Sequence, residues 1–121
     1  GSMMSMSDGA DEVVPKMMLI SAPETGGSIN ARSFIPHVCH AAVGVLAAVS
    51  VATACILDGS VASGIAITPS GDQKQMSSEH PTGEFSVSLD TEVIDDELIV
   101  KRSGILRTAR LLSRGEVYVQ V

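Results

Sequence analysis

The stretch HVCHAAVGVLAAVSVATACILDG, His37 to Gly59, carries no Asp, Glu, Lys or Arg from Val38 to Leu57. A helix of that length reaches roughly 30 Å, the thickness of a bilayer core, so it either spans a membrane or lies buried in protein. Its composition favours burial. Ala41, Ala42, Gly44, Ala47, Ala48, Ser50, Ala52, Thr53 and Ala54 are small, whereas lipid-facing surfaces are built from Leu, Ile, Phe and Val. No Trp or Tyr belt and no flanking Lys or Arg anchors its ends, and His37 and His40 sit at one end with Asp58 at the other.

A helix that is apolar on every side belongs in the middle of a core. Gly44, Ala48, Ala52 and Cys55 recur at spacings that place them on one face, where a sheet can approach closely, while Val45, Val49 and Ile56 fill wider gaps. The expectation is one long central helix with a sheet curled around it.

The flanking sequence supplies the strands. Pro15 to Pro23 is a short apolar run bounded by prolines, and Ile29 to Pro36 is a second extended segment beyond the turn residues ETGGS. Ser60 to Ile67 reads as a strand between Gly-rich and Pro-bearing turns, and Lys74 falls in a polar loop after it. The segment from Glu84 to Asp90 alternates, with Phe85, Val87 and Leu89 on one face and polar residues on the other, the signature of a half-buried strand. Two further strands are expected over Glu97 to Arg107 and Glu116 to Val121, joined by a turn across Ala109 to Gly115, and EVIDDE is a charged turn. The class is α+β with a mostly antiparallel sheet, barrel-like around the helix.

The chain has 121 residues, enough for a single core. Residues 1–13 read as a cleavage scar and a disordered leader, and 14–121 as one domain. A formal net charge of −6 argues against a nucleic-acid surface, and the scarcity of aromatic residues argues against base stacking. Cys39 and Cys55 would lie roughly 24 Å apart on one helix, too far for a disulfide. Free thiols and no secretory pattern read as a cytoplasmic protein.

A buried helix also makes a binding site, because its first N–H groups have no partners within the helix. Cys39, His40, Ala41 and Ala42 are the candidates for that amino end, where unpaired N–H groups and the helix dipole would hold a carboxylate. His40 would donate to a ligand carboxylate or fix the helix entrance by bonding backbone. Asn30 and Arg32, two apart, share one face of a strand leading towards the helix mouth, and Arg32 suits a carboxylate grip. Cys55 is packing, His80 and Gly83 build a turn before Glu84, and Arg107 and Arg110 either bind an anion or, the preferred reading, pair with acids such as Asp95 and Asp96.

Four stretches, in order, carry a family resemblance: VPKMMLISAP; GGSINARSFIPHVCHAAVGVLAAVSVATACILDGSVA with its Cys-His-x-Ala element; SSEHPTGEFSV with its His-Pro-small-Gly element; and GILRTARLLSRGEVYVQV. Together they resemble the C-terminal half of the PrpF family of methylaconitate isomerases and 4-oxalomesaconate tautomerases, relatives of diaminopimelate epimerase in fold. The resemblance implies a two-domain enzyme with two similar halves, each a barrel-like sheet around a helix. Between them a small unsaturated tricarboxylate would lie, and a proton would move across its allylic system without a cofactor.

It also implies that the catalytic Lys and Cys belong mainly to the other half. No catalytic residue and no metal ligand is therefore assigned here, and substrate contact is expected from Asn30, Arg32, Cys39, His40, Ala41 and Ala42. In the distantly related epimerases a thiol near a helix amino end does acid–base chemistry, which is a fold-level analogy for Cys39. Expected partners are the polycarboxylate and either the missing N-terminal half or a second copy of this chain, with no nucleic acid and no membrane. The alternative is a non-catalytic module that binds a polycarboxylate, or pairs as a homodimer mimicking the full enzyme.

Overall fold

A computed structural model describes residues 16–35 and 37–119 of the chain. The leader expected at residues 1–13 lies outside the described residues, as do Gln120 and Val121 of the last expected strand. The elements run β1 (Met17–Ser21), β2 (Ile29–Phe34), α1 (Val45–Ile56), β3 (Gln73–His80), β4 (Gly83–Ile94) and β5 (Glu97–Ile105).

The five strands form one sheet in the order β1-β2-β3-β4-β5, antiparallel throughout except for the parallel β2–β3 pair. With β1 and β5 as its outer strands the sheet is a curled half-barrel, α+β in class, rather than a closed barrel. Alternation in β4 does what the sequence requires: Phe85, Val87 and Leu89 turn inward, with Leu89 and Val87 completely covered. Met76 on β3 and Ile29 on β2 join them against Ala48, Val51, Ala52 and Cys55 of α1.

The long central helix is corrected. α1 has 12 residues, about 18 Å of rise, and begins at Val45 rather than near His37. Residues 37–44 are held by competing bonds. Phe34 and Cys39 form an isolated antiparallel bridge, and the His40 N–H donates to the Ser33 carbonyl at 2.7 Å. The Ile35 N–H donates to the Val38 carbonyl at 3.1 Å, and Gly44 is extended at φ −70 and ψ 156. The first helical bond is therefore Ala48 N–H to the Gly44 carbonyl, at 2.9 Å.

Nor is α1 buried all round. Ala48, Ala52 and Cys55 of the small-residue face meet the sheet as expected, but Gly44, Val45 and Leu46 are exposed, because a half-barrel covers one side of a helix and not both. Among the described residues no helix is long and apolar enough to cross a membrane.

Three strand expectations also change. Residues 60–67 form turns, not a strand: Gly64 has φ +78, the Ile65 and Ala66 N–H groups both donate to the Ala62 carbonyl, and Ala62 plugs the core. Lys74 lies on β3, a strand and not a loop, and its ammonium donates to the Pro69 and Gly71 carbonyls at 3.1 and 2.6 Å. The described part of the last expected strand, 116–119, lies in a strandless segment that follows β5. Val117, Tyr118 and Val119 are exposed there, since a strand needs a ladder partner and these residues find none among the described residues. The EVIDDE turn does form, with Asp95 and Asp96 at φ +53 and +63, the left-handed pair a two-residue hairpin loop demands.

Candidate substrate site

The amino end of α1 lacks a side-chain cap, and no acidic residue stands in its first turn. Helix geometry leaves the N–H groups of Val45, Leu46 and Ala47 without intrahelical acceptors. They open on a cavity of about 580 Å³ lined by Lys16, Ser33, His40, Gly44, Leu46 and Ser50, among others. None of the lining residues is acidic, although the chain as a whole carries a net charge of −6. Orphan N–H groups, the positive end of the helix dipole and Lys16 among the lining residues are features of the kind that suit an anion, and the cavity is of small-molecule size.

The expected site residues fall into two groups. Cys39, His40, Ala41 and Ala42 lie before the helix and not in its first turn. His40 lines the cavity while its Nδ1 is committed to backbone, 2.7 Å from the Ala42 carbonyl oxygen and 3.1 Å from the Ala42 nitrogen. Nε2 is the nitrogen left to meet a ligand. Ala41 is tied to the turn between β3 and β4, its carbonyl accepting the Thr82 hydroxyl at 2.6 Å. Cys39 is exposed and Cys55 buried, both as free thiols; burial pushes the Cys55 thiol up to about 11.

Asn30 and Arg32 do share a face, and Arg32 Nη1 donates to Asn30 Oδ1 at 2.5 Å and to the Ala31 carbonyl at 2.9 Å. That face is turned away from α1. Alternation along β2 sends Ile29, Ala31 and Ser33 to the helix side, and Ser33 lines the large cavity. Arg32 instead lines a separate cavity of about 280 Å³ with Leu19, Ser21, Glu24 and Asn30. The strand face that carries the arginine does not lead to the helix mouth.

Sequence reasoning passes over Lys16, at the large cavity, and Glu79, which organises the loop beside Arg32. Glu79 is largely buried, yet its carboxylate accepts the N–H groups of Glu24 (2.7 Å), Thr25 (2.8 Å) and Gly27 (2.7 Å). Those bonds, led by that from Glu24, hold its carboxyl down at about 2 despite the opposing effect of burial. The signal was the GG of ETGGS: a Cβ on Gly27 would come within 2.7 Å of Glu79 Cγ. Arg107 does not pair with Asp95 or Asp96 in the way expected, but lies over the Phe85 ring, 5.1 Å from its centroid.

The sequence model of the PrpF protein family matches residues 1–120. The chain belongs to the PrpF family. Among PrpF-like relatives it is 50% identical over 119 residues to the 4-oxalomesaconate tautomerase of Pseudomonas putida, covering 98% of this chain and 32% of that protein. It is likewise 50% identical over 119 residues to the (4E)-oxalomesaconate Delta-isomerase of a Novosphingobium species, with 98% and 32% covered. The chain thus spans about a third of the length of the PrpF relatives it matches.

Proposed function

We propose that this chain is a substrate-binding part of a cofactor-independent isomerase or tautomerase, acting by proton transfer on a small unsaturated tricarboxylate of the 4-oxalomesaconate or methylaconitate type. The observation that carries the reading is the uncapped start of α1 opening into an acid-free cavity, in a chain half identical to two oxalomesaconate isomerases. One substrate carboxylate sits on the N–H groups of Val45 to Ala47, with His40 Nε2 and the Lys16 ammonium beside it. His40, of the segment Cys39–Ala42, forms part of the wall, whereas Asn30 and Arg32 line a separate cavity on the other face of β2. Enolate charge that develops during proton transfer is stabilised by the same helix end. The protein is cytoplasmic.

The exposed apolar groups of Leu46, Leu111, Leu112, Val117 and Val119 favour a second, compatible reading, in which the remaining part of a longer enzyme or a second copy of this chain covers them. Shift mapping by amide NMR with trans-aconitate as the probe tests the site. Perturbations should concentrate at residues 40–47; perturbations confined elsewhere, or none at all, contradict it.

A further inference from the structure

The chain leaves the sheet after β5. Its last backbone bond to the sheet among the described residues runs from the Leu106 N–H to the Ser86 carbonyl at 3.2 Å, and the Arg107 guanidinium rests over Phe85. Beyond that point Leu111, Leu112, Val117, Tyr118 and Val119 are 81–90% exposed. A solvated tail is polar, whereas this one carries the β-branched, aromatic and leucine side chains that a sheet and its core take up.

Residues 116–119 have the side-chain alternation of a strand. The Tyr118 hydroxyl donates to Glu116 Oε2 at 2.9 Å, which puts those two side chains on one side. A period of two then sets Val117 and Val119 together on the other. What the segment lacks is a ladder. β5 is an outer strand of the sheet, and residues 106–115 are more than a hairpin connection needs to bring 116–119 back along it, yet the segment does not return.

The family match continues through this segment to residue 120, while the chain spans about a third of the length of its relatives. The tail is thus part of the family's shared sequence, in proteins that possess about two further thirds of chain. A second copy of this chain is the poorer occupant, because each copy carries a net charge of −6 and the two repel.

We propose that residues 116–119 add as a strand to an open sheet edge in the remaining part of the longer enzyme, with Val117 and Val119 turned onto its apolar surface. The inference rests on the reading above in which that remaining part covers the exposed apolar groups. Backbone ladder bonds supply the attachment, and the alternate valines fix which face of the strand lies inward. Leu111 and Leu112 are covered by the same contact, and the tail ties this third of the enzyme to the rest.

The test uses a chimera in which this chain replaces its matching third of the Pseudomonas putida tautomerase. Amide hydrogen exchange at 116–119, read by mass spectrometry, should be slower by about 100-fold or more in the chimera than in this chain alone. Equally fast exchange in the two proteins overturns the inference. Alternate N–H groups of an edge strand face its partner, so at least one of Val117→Pro and Tyr118→Pro deletes a ladder donor. At least one of these variants should restore fast exchange and lower the urea midpoint of the chimera, while neither moves the midpoint of this chain alone. A chimera midpoint that neither variant moves overturns the inference. So does a dimer of this chain alone by light scattering, with protection at 116–119 that rises with concentration, since the occupant is then a second copy. Turnover is a separate readout: an inactive chimera with a protected tail upholds the inference and counts against the substrate reading, and an active chimera with an unprotected tail does the reverse.

Discussion

Gly27 and Glu79 approach so closely that the glycine N–H reaches Glu79 Oε1 at 2.7 Å while a Cβ on the glycine would lie 2.7 Å from Glu79 Cγ. The first contact requires the second, because the carboxylate can collect the N–H groups of residues 24, 25 and 27 only if the chain folds over its stem. Gly27→Ala should therefore destabilise the protein by about 1–3 kcal/mol, the range for an overpacked methyl, as read from the urea midpoint. Amide exchange should rise at Thr25 and Gly27 and remain unchanged in β4.

Acid should release the same loop. The Glu79 carboxyl lies at about 2 in the folded chain against an ordinary 4.5, so its contribution is present above pH 4.5 and is lost as pH falls from there through about 2. Urea midpoints measured between pH 6 and 2 should show a decline in the wild type that is absent in Glu79→Gln. Parallel declines in the two proteins would contradict the assignment.

Core and surface leucines should part company. Leu89, at 0% exposure, should lose about 2–5 kcal/mol on truncation to Ala, whereas Leu46, 83% exposed on the helix, should change stability by less than about 0.5 kcal/mol. Equal losses would mean that α1 is enclosed on both sides after all.

The two thiols should react at very different rates. Cys39 is exposed, and Cys55 is buried with its thiol raised to about 11, so a thiol reagent at pH 8 should modify one cysteine promptly and the other only after unfolding. Mass spectrometry of peptides identifies which.

How far the sequence speaks depends on whether an element is fixed by its own residues. β4 was legible because Phe85, Val87 and Leu89 alternate against the one core the chain possesses. β3 was not, because Gln73 to His80 is polar apart from Met76, and the burial of Ser78 and Glu79 depends on partners 49 to 55 residues away. The helix was recognised but not its start: a run of Ala, Val and Gly carries no capping signal, and the Phe34–Cys39 bridge that claims residues 37–44 is a tertiary contact. The same limit governs the site. Alternation correctly paired Asn30 with Arg32, but which side of β2 faces α1 is set by packing, and packing sent the arginine to the opposite face from the helix mouth.

On the function proposed above, this chain supplies the substrate-binding third of a proton-transferring isomerase. The direct measurement is the initial rate of the Pseudomonas putida chimera on 4-oxalomesaconate, followed by ultraviolet absorbance. A rate within about tenfold of the parent tautomerase, equivalent to about 1.4 kcal/mol of barrier, is the result predicted. A chimera that folds and yet shows no turnover would contradict it.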